Sequence, residues 1–322
     1  MSRNIASINV GIKTRYKFIA VNPETLEERD LSGWCENILL TSGRNELAKR
    51  DWFTYCQVGT SATLPAVGQT GLLGFVAASN NIQEDVSGTQ GSVPYYGWRR
   101  KRFRFDPGEA VGNLNEVAIA WAGTAGANCV TRALIVDING VQVTVTPLVT
   151  EILDVVIEVR YYPPLSDSTG TVVFDGVTYD YIARAAVVTN TSAWANTIGT
   201  QIRSYAVVNG DWSAYDDNIS TIDLGPNGVP VSSDNSNDYT NTYSENSYQI
   251  VFGMIVGPGT LNTSGWYITT GKLLRSLLIK TTAGWYQIQF DSQASPGFGV
   301  PKTNSYTMQV QFILGWQEQA IP

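Results

Sequence analysis

Residues 132–162 read RALIVDINGVQVTVTPLVTEILDVVIEVRYY, and this stretch decides the fold class. Arg132–Asp137, Val141–Thr146 and Ile152–Tyr162 are runs of strand length that alternate or stay apolar, and they are rich in Val, Ile and Thr. Such a pattern suits a pleated surface with side chains on alternate faces, not a helix of 3.6-residue period. Asn139-Gly140 between the first two runs tolerates positive φ at both positions, which marks a hairpin turn.

The same pattern extends outward in both directions. Upstream, Thr14–Val21, Ser32–Leu40, Gly74–Ser79, the aromatic and basic Tyr95–Phe105, and Leu114–Trp121 read as strands. Downstream, strands are expected at Thr171–Phe174, Tyr179–Val188, Tyr248–Val256, Lys272–Lys280, Trp285–Phe290 and Tyr306–Trp316. Asn80–Val93 and Val231–Asn246 are polar with no core pattern and are expected to be exposed loops, the second a contact surface. The one convincing helix start is Gly43-Arg44-Asn45-Glu46; Leu47, Trp52 and Phe53 can form its apolar stripe, giving a short helix over about 43–53. Tyr55–Val58 then reads as a strand, ended by Gly59 and Pro65.

Pro163-Pro164, followed by LSDSTG, is the best boundary. The chain is therefore expected to be mainly β, with two tandem β-sandwich-like domains: 1–163, carrying the short helix, and 164–322, carrying the polar loop at about 231–246. A weak repeat of Gly-x-Leu, Asp and Pro positions between the halves is compatible with duplication.

Composition narrows the chemistry. The chain has 322 residues, a net charge of -7 and no histidine. Ser-His-Asp and Cys-His catalysis and imidazole-bound zinc are thereby excluded. The acidic balance makes the chain a poor non-specific binder of nucleic acid. Cys35, Cys56 and Cys129 lack CxxC spacing and read as buried free thiols, in keeping with folding in a reducing cytoplasm. No signal-peptide core and no apolar run of the roughly 20 residues needed for a membrane span is visible. No cofactor and no membrane insertion are expected.

Several groups of residues are candidates for a site. Arg99, Arg100, Lys101, Arg102 and Arg104 concentrate positive charge on one strand, with Arg100, Arg102 and Arg104 on one face and Phe103 and Phe105 on the other. They form either a contact for an acidic partner or phosphate, or an edge strand whose arginines pair with acidic neighbours; the acidic background favours pairing or a protein partner. Trp212, Tyr215, Asp216 and Asp217, with Tyr239 and Tyr243 farther on, make a candidate receptor or partner loop, Trp212 and Tyr215 having the shape to stack on a sugar ring. Asp211, Asp216, Asp217, Glu109, Glu116 and Glu151 are the carboxylates a glycosidase would have to pair. Asp234-x-Ser236-x-Asp238 with Glu245 mimics a calcium loop but has Tyr239 where the turn wants Gly, and Gly265–Leu273 fails the phosphate-loop spacing.

Two segments together resemble a known family. ILLTSGRNELAKRDWFTYCQVGTSATLPAVGQTGL (38–72) and FRFDPGEAVGNLNEVAIAW (103–121) are similar to the N-terminal region of tailed-bacteriophage virion proteins of tail fibres, tail tips and baseplates. The shared marks are a short helix, the Val58-Gly59-Thr60 and Pro65 punctuation, and Gly108-Glu109-Ala110 with Gly112-Asn113-Leu114 before Glu116-Val117; Ser61 and Ala118 stand where the family has Gly. The resemblance covers about half the chain and extends to the C-terminal YQIQFD and PKTNSYTMQVQFILGW. It implies a non-enzymatic virion subunit, assembled in the host cytoplasm as a symmetric homo-oligomer and with other phage tail proteins. The loop 59–71 would reach a neighbour while the helix caps the first sandwich. A receptor- or glycan-binding module of the tail, contacting host surface glycan, and a polysaccharide-degrading tailspike-type enzyme are the alternatives.

Overall fold

Residues 4–21 alternate so regularly that they form one strand of 18 residues, Asn4–Val21. Ile8, Val10, Ile12, Thr14, Tyr16, Phe18 and Ala20 point into the core, while Lys13, Arg15 and Lys17 point outward. The structure is a computed structural model and describes residues 4–203, 212–233, 239–256, 273–301 and 308–319. It is mainly β, 51% strand and 4% helical, with several sheets and no closed barrel among the described residues.

The long first strand is the spine of a nine-stranded sheet. Its residues 4–12 pair in parallel with Met308–Glu318, and residues 11–21 pair antiparallel with Ile152–Tyr162. From there the sheet continues through Tyr96–Phe105 to Ile82–Gln90; on the other side it runs through Gln249–Val256 to Tyr239–Tyr243. Strands from both sides of Pro163-Pro164 thus lie in one sheet. Its interior face contributes to a single large apolar cluster holding Trp52, Trp194, Trp212 and Trp316. A five-stranded sheet (Ile38–Leu39, Thr131–Leu134, Glu116–Ala120, Tyr55–Gly59, Phe75–Ser79) and a six-stranded sheet (Ser168–Phe174, Val177–Ala186, Gly284–Ser292, Ser276–Thr281, Trp212–Tyr215, Pro230–Ser233) complete the core.

The helix is shorter and earlier than expected, Thr41–Glu46, because the chain turns after Glu46 to bury Leu47, Trp52 and Phe53. A side chain at Gly43 would strike the backbone of Val130, so the helix can approach its sheet only through glycine. The helix does not merely cap the first half. Arg44 donates to the Trp316 carbonyl (3.2 Å), the Trp316 indole donates to the Arg44 carbonyl (2.9 Å), and buried Asn45 bonds Asn246 and Tyr243. The helix therefore ties the N-terminal half to the C-terminal strands.

Two expected loops contain strands. Ile82–Gln90 pairs with Tyr96–Phe105 at the sheet edge, where one partner suffices and solvent covers the rest; an edge strand of this kind needs no apolar alternation. Likewise Pro230–Ser233 and Tyr239–Tyr243 are edge strands inside the expected loop at 231–246. Conversely, Val141–Thr146 makes only the isolated bridges Val136↔Gln142 and Leu114↔Val145, and the turn before it closes over Asp137–Gly140, with Gly140 at φ 78° but Asn139 not at positive φ.

Candidate functional site

The five-stranded sheet presents the loop between Gly59 and Phe75, and a buried ion pair holds that loop from beneath. Glu116, in an otherwise apolar strand, is fully enclosed, as is Arg132 on the neighbouring strand. The Arg132 Nε donates to Glu116 Oε2 at 2.7 Å. The remaining capacity of both groups goes to the loop. Glu116 accepts from the backbone N–H groups of Ser61 (3.3 Å), Leu73 (3.3 Å) and Gly74 (2.6 Å). Arg132 donates to the Thr63 carbonyl (2.9 Å) and to Gln69 Oε1 (2.8 Å), which itself accepts from Ala66 N–H. A buried pair is tolerable only when its other lone pairs and protons are satisfied in this way.

Further bonds close the loop onto the sheet. Thr41 N–H reaches the Val67 carbonyl (2.8 Å), Cys129 N–H the Thr70 carbonyl (3.0 Å), and Asn115 Nδ2 the Thr60 carbonyl (2.9 Å). Gly59 is glycine because a Cβ there would lie 2.6 Å from Glu116 Oε1. The outer side of this fixed loop is apolar and open: Leu64 is 74% exposed, Val67 56% and Leu73 55%. The loop is thus neither packed inside its own domain nor left without internal restraint.

The basic strand has a different environment from a free cationic patch. Arg100, Arg102 and Arg104 do share the outer face, and Phe103 and Phe105 the core. Each arginine meets a carboxylate of the chain itself: Arg100 meets Glu158 (2.6 Å), Arg102 meets Asp154 (2.6 Å) and Glu28 (2.7 Å), and Arg104 meets Asp154 (2.8 Å). Arg99 grips Asp85 with two bonds of 2.7 Å. Lys101 turns inward to donate to the Phe53 carbonyl at 2.7 Å. Burial first, then the Arg99 charge, lower its ammonium to about 8. A cleft of about 270 Å³ opens beside Lys101, bounded by Asp51, Thr54, Asn80, Arg99 and Thr200.

The aromatic candidates are not a stacking surface. Trp212 is fully buried and Tyr215 nearly so, on the strand Trp212–Tyr215: Trp212 fills the main core, and Tyr215, on the opposite face, packs with Ala186 and Leu278. Asp216 is half-buried and Asp217 exposed, just beyond that strand. Tyr243 hydrogen-bonds Asn45 and stacks on Trp316 at 5.8 Å. Tyr239 opens the edge strand Tyr239–Tyr243, opposite Met254.

Of the carboxylates considered for glycoside chemistry, Glu116 is sealed under the loop. Glu109 accepts from Asp106 N–H (2.7 Å), and Glu151 pairs with Arg29 (2.9 Å). Asp211, Asp234, Ser236, Asp238, and Gly265 to Lys272 lie outside the described residues. Glu245 pairs with Lys49. The three cysteines are free and buried, and burial raises each thiol, Cys129 to about 12.

Comparison with protein-family models, with curated proteins and with solved structures gives no match. The residue that sequence reasoning missed is Arg132. Its signal was a cation opening the apolar run RALIV, where only a buried partner makes a guanidinium affordable.

Proposed function

We propose that this chain is a non-enzymatic structural subunit of a tailed-phage virion, assembling with itself and with neighbouring tail proteins in the tail tip, baseplate or fibre attachment region. The observation that carries this reading is the loop 60–73, held by Glu116 and Arg132 with Leu64, Val67 and Leu73 facing outward. The residues of the family resemblance converge there: Gly59 makes room for the carboxylate, and Glu116 holds the loop's backbone. A loop ordered before contact loses little conformational freedom on docking, so its apolar side chains act efficiently as anchors. Enclosure of Trp212 and Tyr215 takes these two rings away from any surface on which a glycan could stack.

Light scattering coupled to size separation tests the proposal. The chain is expected to be an oligomer, and the combined substitution Leu64→Ser, Val67→Ser and Leu73→Ser is expected to reduce its mass while leaving its thermal transition in place. A strictly monomeric chain that binds no tail component, or an oligomer indifferent to the three substitutions, contradicts it.

A further inference from the structure

On the outer face of the nine-stranded sheet, Glu158 is contacted by three guanidiniums at once. Arg15 and Arg160 reach its Oε1 (2.8 and 2.6 Å), and Arg100 reaches Oε2 (2.6 Å). The strand register explains the convergence. Arg15, Glu158 and Arg100 lie in one row across three adjacent strands, and Arg160 lies two residues along the central strand on the same face. The carboxylate is 2% exposed, whereas the three arginine side chains are 29%, 20% and 33% exposed in the order Arg15, Arg160, Arg100. The negative charge is therefore beneath and the positive charges above it.

One carboxylate cannot balance three guanidiniums, and the neighbouring acids are already engaged. Glu36 pairs with Lys13, Asp30 with Lys17, Glu28 with Arg102, and Asp154 with both Arg102 and Arg104. Among the described residues none of these carboxylates is within ion-pair distance of Arg15, Arg100 or Arg160. The guanidiniums are nevertheless fixed: Arg15 lies over Trp34 (4.1 Å), Arg160 over Tyr96 (4.6 Å) and Arg100 over Trp98 (5.2 Å). A cavity of about 50 Å³, lined by Lys13, Thr14, Arg15, Glu36, Glu158 and Arg160, opens beside Arg15 and Arg160. It has room for a small oxyanion group and not for a larger molecule.

We propose that this cluster is a docking site for the carboxylates of an acidic segment on a protein partner. Planar guanidinium forks held on strands and backed by aromatic rings match carboxylate geometry, and an incoming acid supplies the negative charge the cluster lacks. The flanking charges are already paired, so the excess of positive charge is confined to three guanidiniums; that suits a short acidic segment better than a long nucleic-acid backbone, whose dense charge the chain's net -7 also disfavours. The site lies on a different sheet from the loop 60–73, so partner capture here does not depend on that loop.

Titration with a hexaglutamate peptide, read by the fluorescence of the adjacent Trp34 and Trp98 and by calorimetry, tests the proposal. Saturable binding is expected at low salt, weakening as salt rises. Arg15→Gln and Arg100→Gln are each expected to weaken it roughly tenfold or more, and Arg104→Gln to leave it unchanged. Arg100→Lys keeps the charge but loses the fork, and gives an intermediate effect even if a glutamine variant fails to fold. Absence of peptide binding, binding indifferent to Arg15 and Arg100, or tighter binding of a single-stranded oligonucleotide than of the peptide overturns the proposal. Full competition by millimolar inorganic phosphate also overturns it, since it would show a simple anion site with no preference for an acidic segment.

Discussion

At the scale of single residues, the chain places most of its charge in pairs it makes with itself. Removing one partner of the enclosed Glu116–Arg132 pair leaves a buried charge uncompensated. Arg132→Met is therefore expected to destabilise the fold by about 3–5 kcal/mol, measured by urea unfolding. Titration adds two signatures. Burial pushes the Glu158 carboxyl up, but the hydrogen bond from Arg100 and the charges of Arg15 and Arg160 outweigh this and hold it below the ordinary value. Its contribution to stability is thus fully present above the unfolded carboxylate range and is lost as pH falls through the folded value. Lys101 works in the opposite direction. Its folded value of about 8 lies below that of the unfolded chain, so between about pH 8 and 10 the unfolded state binds this extra proton and the Lys101 contribution to stability rises with pH. The three buried thiols, raised by burial, act in the opposite direction over the same window, so the test is a difference: the unfolding free energy of the wild type minus that of Lys101→Met should rise across it. The facing of Arg100, Arg102 and Arg104 was legible in the sequence because strand alternation fixes it. Their acidic partners were not, because Glu158 and Asp154 lie fifty or more residues away and only the register brings them opposite.

At the scale of elements, the loop 60–73 shows what punctuation can and cannot reveal. Gly59 and Pro65 marked where the strand stops, but nothing in the loop itself announced that Glu116 and Arg132 would hold it. Hydrogen exchange is expected to show protected amides at Ser61, Leu73 and Gly74 despite the loop's exposure, and Glu116→Gln is expected to abolish that protection before the strands around it open. Strand recognition succeeded where one face is buried, as in Ile152–Tyr162, and failed at the edges. Ile82–Gln90 carries Gln83, Glu84 and Asp85 on exposed backbone, so its composition is that of a loop although its hydrogen bonds are those of a strand. The presence of a turn at Asn139-Gly140 was legible in its chemistry, but the turn closes over Asp137–Gly140 and only Gly140 takes a positive φ. With Gly140 at φ 78°, Gly140→Ala is expected to cost about 1 kcal/mol in thermal or urea unfolding.

At the scale of the whole molecule, the first strand and the last described one lie side by side. Met308–Glu318 sits between Asn4–Val21 and Gln249–Val256, and the helix Thr41–Glu46 fastens onto Trp316. Parallel pairing between the two ends of a chain leaves no local pattern, so composition and turns revealed the β class but not this closure. Truncation before Met308 is accordingly expected to remove the cooperative thermal transition of the entire chain, since it opens the middle of the nine-stranded sheet. The proposed virion subunit would meet its neighbours through a preformed apolar loop on one sheet and a cationic cluster on another. The most direct test is electron microscopy of intact tailed-phage particles carrying a label on this chain. Label is expected at regular, symmetry-related positions at the tail end, and is lost when Leu64, Val67 and Leu73 are replaced by serine. Particles that assemble fully without the chain, with no label at any fixed position, would contradict it.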